Sequence, residues 1–142
     1  MMEVSIRHLL ALPLFVTSLV AFGADCSTGK TQLDINECVA AEYQKADKEL
    51  NRVYSAYRAR LDDQQKQLLK DAQVAWLKYR DLSCKFESAD VSGGSAYSMV
   101  LQSCLIEKTK ARIEDLKKLG NCQEGDLSCP AGTGTMPSIK FR

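Results

Sequence analysis

Histidine is almost missing from this chain: it occurs once in 142 residues, at His8, inside an N-terminal stretch that reads as removable. Without it, the mature chain can build neither a Cys/His zinc site nor an imidazole base, which counts against most hydrolase mechanisms. No C-x-x-C and no C-x-x-C-H is present, so thioredoxin-type redox chemistry and haem attachment lack their usual residues. Charge of one sign is missing too. The formal net charge is +1, and removing Arg7 together with Glu3 leaves it unchanged, so no global field selects nucleic acid or a membrane as partner. No internal repeat occurs.

A long apolar run is also lacking. The best, Leu9 to Phe22, is uncharged but shorter than the ~20 residues that a spanning helix needs. With Arg7 and His8 before it and Ala21-Phe22-Gly23 after it, the run reads as a secretory signal peptide over residues 1–23, cleaved after Gly23. Asp25 precedes Cys26, where lipid attachment would want a small neutral residue, so no lipid anchor and no membrane anchor after cleavage is expected. Localisation is read as periplasmic or secreted.

What the chain does have is six cysteines, Cys26, Cys38, Cys84, Cys104, Cys122 and Cys129, an even number that fits three disulfides in a small exported domain. Between them lie three stretches of helical periodicity. Thr31 followed by Asp34 resembles an N-cap with an acid in the first turn. From Ile35 the series Val39, Tyr43, Ala46, Leu50, Val53, Tyr57, Leu61 steps by 3 or 4 with no Pro or Gly, predicting one helix to about residue 61. Asp62-Asp63 caps a second helix to about Glu87 and makes an antiparallel hairpin with the first. Its face is read as Leu69, Ala72, Trp76, Tyr79, Ser83 and Phe86. Arg80, four residues after the sole Trp, lies at the edge of that face and needs a carboxylate inside.

Gly93-Gly94-Ser95 centres a loop over 88–98, and a third helix runs from about Ser98 to Leu119 with Leu101, Leu105, Arg112, Leu116 and Leu119 inward and Gly120 placed to stop it. The fold class is therefore all-α: an antiparallel helical hairpin plus a third helix, disulfide-stabilised. Residues 24–120 form the helical domain, and 121–142 a small disulfide loop followed by a stretch that reads as a flexible tail.

Levels along the folded hairpin place Asp47 beside Arg80, with Arg112 a second cation able to share it, and this Asp47, Arg80, Arg112 group is read as a structural polar core. Heights and loop lengths make Cys26–Cys38, Cys84–Cys104 and Cys122–Cys129 feasible among the fifteen pairings that six cysteines allow. Four tyrosines, Tyr43, Tyr54, Tyr57 and Tyr79, fall on the expected core faces, so packing rather than sugar stacking is their role. Tyr97, in the loop, is the exception.

Taken together, Cys26, Thr31-Gln32, Asn36, Cys38, Tyr43, Ala46-Asp47, Leu50-Asn51 and Tyr54, then Ala72-Gln73, Ala75-Trp76, Arg80-Asp81 and Cys84, then Gly93-Gly94-Ser95, Cys104-Leu105, Thr109 and Arg112 resemble the lysozyme inhibitor LprI-like family. The likeness covers about Cys26 to Leu119. It implies a small helical protein of the bacterial periplasm or cell surface, in a family named after a lipoprotein that inhibits lysozyme. The resemblance implies a protein partner of the lysozyme-type muramidase class; the alternative is an envelope accessory or toxin-neutralising interaction module. No cofactor, metal or catalytic residue is expected. Paired carboxylates could serve a glycosidase, but the acids lie on helix surfaces and the chain is short for a substrate cleft.

Residues 24–42 and 81–104 hold seven acids against two bases, net −5, which leaves the rest of the mature chain at +6. Such asymmetry suits a basic partner. The candidate contact residues are Glu87, Asp90, Gly93, Gly94, Ser95 and Tyr97.

Overall fold

Two reciprocal caps set the architecture. The Asp34 amide donates to Thr31 Oγ1 (3.1 Å) while the Thr31 amide donates to the Asp34 carboxylate (3.0 Å), and Asp62 and Gln65 repeat the arrangement 31 residues later in the chain (2.8 and 3.4 Å). Each cap satisfies amides that no preceding turn can bond, worth about 1 kcal/mol. In the computed structural model, which describes residues 25–122, 126, 127, 129 and 130, these caps open α1 (Gln32–Arg58) and α2 (Asp63–Glu87). The signal-peptide reading of 1–23 and the tail reading of 131–142 lie outside the described residues.

A 3₁₀ turn at Cys26–Thr28 precedes α1, and another at Ala89–Val91 begins the connection to α3 (Tyr97–Gly120). The described residues contain three α-helices and no strand. α3 packs most extensively against α1 and less against α2, while the α1 and α2 backbones approach closely at few points. The antiparallel hairpin therefore holds together largely through the third helix. No helix among the described residues is long and apolar enough to cross a membrane.

The apolar core lies toward the α1–α2 turn. Leu50, Val53, Tyr57 and Leu61 meet Ile113 and Leu116 there, with Tyr54, Leu69, Trp76 and Leu119 packed around them. Full burial of each such side chain contributes roughly 1.5–3 kcal/mol relative to exposure. The α1 face matches its sequence pattern: Val39, Ala46, Leu50, Val53, Tyr57 and Leu61 are all buried.

α2 departs from its expected face. Its inward line runs Leu69, Gln73, Trp76, Arg80, Cys84, whereas Ala72 is exposed and Tyr79 and Phe86 are 61% and 82% exposed. Tyr79 is thus corrected from core packing to surface. Apolar spacing pointed one residue aside because the buried line carries Gln73 and Arg80, which no hydrophobicity pattern selects.

α3 ends at Gly120, where the sequence placed its stop, but without left-handed geometry. Gly93 is the sole described glycine with positive φ (81°). A Cβ on Gly120 would come 2.8 Å from the Arg60 guanidinium, which donates to the Gly120 carbonyl at 2.8 Å. A side chain at 120 would displace the Arg60 guanidinium from this position, so the glycine is tied to that contact rather than to turn geometry.

Candidate functional site

About halfway along α1 and α3, polar groups join the apolar ones, and Arg80 is at their centre. Its side chain is 6% exposed. The guanidinium reaches the Asp81 carboxylate at 2.9 Å, donates to Thr109 Oγ1 at 3.2 Å and lies 3.6 Å from Asp47 Oδ1. It also stacks near the rings of Trp76 (5.3 Å) and Tyr43 (5.7 Å). One side chain thereby joins α1, α2 and α3, and a planar guanidinium with five donors suits that task where an ammonium would not.

The polar core is wider than the sequence indicated. Asp81 supplies the shorter contact and Asp47 the longer one, with Asn51 donating to Asp47 at 3.2 Å. Arg112 does not share Asp47 in any ion pair; its Nε donates to Gln73 Oε1 at 3.1 Å and its guanidinium lies 5.7 Å from the Trp76 ring. Trp76 is therefore flanked by two cations. Burial lowers the Arg112 pKa and raises that of Tyr43, against an opposing pull from Arg80. Sequence periodicity missed Thr109, which is fully buried. Its signal was a small polar residue in the otherwise inward line of α3.

These groups suit structure better than chemistry. Arg80 is engaged on every side, and its acid partners reach water, with the Asp47 side chain 39% exposed. No group of three or more His, Cys, Asp or Glu able to hold a metal occurs among the described residues.

The three disulfides join Cys26 to Cys38, Cys84 to Cys104 and Cys122 to Cys129, each with a Cα–Cα separation of 5.6 Å. The second spans the connection between α2 and α3, and all the candidate contact residues lie between its two cysteines, Glu87 at the end of α2 and Tyr97 at the start of α3. Ser88, buried, donates through Oγ to the Cys84 carbonyl at 2.8 Å. Asn36 on α1 donates to the Ser95 carbonyl at 3.0 Å, and Gln32 donates to Asn36 at 3.0 Å. Gly93, Gly94, Ser95 and Asp90 are exposed, and Tyr97 is half-buried as the first residue of α3. Glu87 forms an ion pair with Lys108 at 2.9 Å, and Lys108 lies 5.9 Å from the Tyr79 ring. The expected acids are thus gathered at one end, but Glu42, Asp81 and Glu87 each face a cation, Lys45, Arg80 and Lys108 respectively.

The family described as Lysozyme inhibitor LprI matches residues 24–116 of this sequence. The chain belongs to the LprI family. The chain is also similar to protein R02472 of Rhizobium meliloti (strain 1021), 35% identical over 108 residues that cover 67% of this chain and 78% of that protein. YecT of Escherichia coli (strain K12) is 32% identical over 106 residues, covering 63% of this chain and 65% of YecT. A crystal structure of a DUF1311 family protein from Pseudomonas putida KT2440 superposes with a TM-score of 0.57 at 27% identity, over 70% of this chain and all of that one. The matched LprI region contains the Arg80 group, the Cys26–Cys38 and Cys84–Cys104 bonds and the loop they brace, and stops short of Cys122.

Proposed function

We propose that this protein is an exported, non-enzymatic binding protein that blocks a lysozyme-type muramidase. Membership of the LprI family over residues 24–116 carries the reading. The disulfides agree with an oxidising compartment outside the cytoplasm. On this reading residues 1–23 direct export and 24–120 form the binding domain.

The contact would be made by the loop after α2, with Glu87, Asp90, Gly93, Gly94, Ser95 and Tyr97 facing the enzyme. A scaffold that holds a loop at both ends lowers the entropy lost when the loop engages a partner, and Cys84–Cys104 with the Asn36–Ser95 bond provides such a hold. Acid at this end would steer a basic enzyme toward it.

The test is inhibition of a panel of muramidases by the purified, oxidised protein. Inhibition of at least one is expected, weakening as salt rises past ~0.15 M. Glu87→Lys with Asp90→Lys should slow association, and Tyr97→Ala should speed dissociation. Undiminished inhibition by the triple variant would move the contact elsewhere, and no inhibition of any muramidase would refute the function.

A further inference from the structure

α2 carries a second apolar line that the bundle does not use. Leu68, Ala72, Ala75, Tyr79, Leu82 and Phe86 follow steps of 4, 3, 4, 3 and 4, the spacing of a coiled-coil seam. All six are exposed; Leu68 is 63% and Leu82 55% accessible, and Phe86 more so. The line spans roughly 27 Å at 1.5 Å per residue. We propose that this face of α2 pairs antiparallel with the same face of a second copy of the chain, making a twofold-symmetric dimer.

Side-chain sizes select both the partner and the direction. A twofold axis at the level of Leu77 sets Tyr79 against Ala75, Leu82 against Ala72, and Phe86 against Leu68 of the other copy. Large residues then meet small ones at the two inner layers, as interdigitated packing needs. A parallel pairing would stack Tyr79 on Tyr79 and Phe86 on Phe86, and would leave two alanine layers empty.

The outer layer has a further fit. Beside Leu68 and Ala72 lies an open, mostly apolar recess of about 270 Å³, lined also by Tyr57, Leu61, Gln65, Leu69, Leu119 and Pro130. Phe86, at the far end of the seam, is the large side chain that the symmetry brings over it. Knob and recess are a seam length apart on one molecule, so neither can satisfy the other within a copy, and both are satisfied twice across the axis.

Charge along the outer flank points the same way. Antiparallel pairing puts Asp71 within reach of Lys85 of the other copy, twice by symmetry. Lys78 meets its own equivalent near the axis, a single repulsion between long exposed side chains that reach water. With Asp71 beside Lys78 and Lys85 the flank carries both signs of charge, unlike the uniformly basic border that binds anionic lipid. The two leucines and two aromatics of the seam expose on the order of 500 Å² per copy, and the recess adds to this, approaching the ~800 Å² per partner of a specific interface.

Sedimentation equilibrium of the oxidised, exported protein up to about 100 μM, where weak dimers with micromolar dissociation constants are populated, tests the proposal. A dimer is expected, with Phe86→Glu and Leu82→Glu each weakening it by about 100-fold or more at unchanged helical content. An amine-reactive cross-linker applied to mixed light and heavy isotope-labelled protein should join Lys78 of one copy to Lys78 of the other. A monomer at all concentrations overturns the proposal and leaves the face to a muramidase, a membrane or residues 131–142. So does a dimer indifferent to both substitutions. Because the readout is self-association, its failure leaves the muramidase reading standing.

Discussion

The two ends of the bundle are held by different physics. Near the α1–α2 turn, Leu50, Val53, Tyr57, Leu61, Ile113 and Leu116 exclude water with scarcely a polar atom among their side chains. Farther from that turn the buried residues are Val39 and Ala46 together with Arg80, Thr109, Ser88 and Cys84, tied by hydrogen bonds, ring stacking and two disulfides. Burial is non-directional and tolerates adjustment, whereas a polar network and a covalent bond fix positions. The rigid end is the one that presents the loop. A three-helix domain of this size buries too little apolar surface to order both ends by the same means.

The largest effect that would sharpen this contrast belongs to the turn end. Leu116→Ala removes a fully buried side chain and should cost about 2–5 kcal/mol in urea unfolding, because the three helices leave a cavity there. Next comes Cys84→Ser with Cys104→Ser, expected to cost ~2–4 kcal/mol. Hydrogen exchange should show the loss confined to the loop after α2 and the start of α3; equal loss of protection around Leu50 would mean that the two ends are not separate.

Arg80 separates two explanations of the polar end. Arg80→Ala should destabilise by about 1–3 kcal/mol, leaving Thr109 without its donor. Arg80→Met, which keeps the packing on Trp76 and Tyr43, should cost less, because Asp47 and Asp81 can turn to water. A double-mutant cycle between Asp47 and Arg80 should give under ~1 kcal/mol, given 3.6 Å and a half-exposed acid. A larger coupling would move the weight of the network from Asp81 and Thr109 to Asp47.

The smallest effect is alkaline. Burial raises the Tyr43 and Tyr57 phenols above 10.0, so the folded state keeps its protons where the unfolded chain has lost them. Stability from this source is intact below pH 10 and falls as pH rises from 10 through the folded values. Tyr43→Phe and Tyr57→Phe should each flatten the decline in melting temperature above pH 10. Loss of the same size with both rings replaced would assign it to other groups.

Helix ends were legible because their signals are local. Thr31 with Asp34, and Asp62 with the residues after it, name the caps whatever the rest of the chain does. The α1 face was legible for a related reason: its buried line is almost wholly apolar, so periodicity and burial coincide. On α2 they diverge. Two apolar lines lie side by side, and the one that enters the bundle includes Gln73 and Arg80, while Tyr79 and Phe86 remain outside. Asp81, next to Arg80 in sequence, went unread as its partner since neighbouring residues on a helix usually point apart.

The amino-acid sequence by itself determined three helices, the caps that open the first two, the loop between α2 and α3 and the placing of six cysteines, because each depends on residues within a few turns of one another. Only the tertiary structure decided which side of α2 is inside, that Thr109 rather than Arg112 completes the Arg80 group, and that Gly120 makes room for Arg60. Those outcomes depend on what three helices bring to one place, and hydrophobic spacing along one helix holds no record of the polar atoms waiting on the other two.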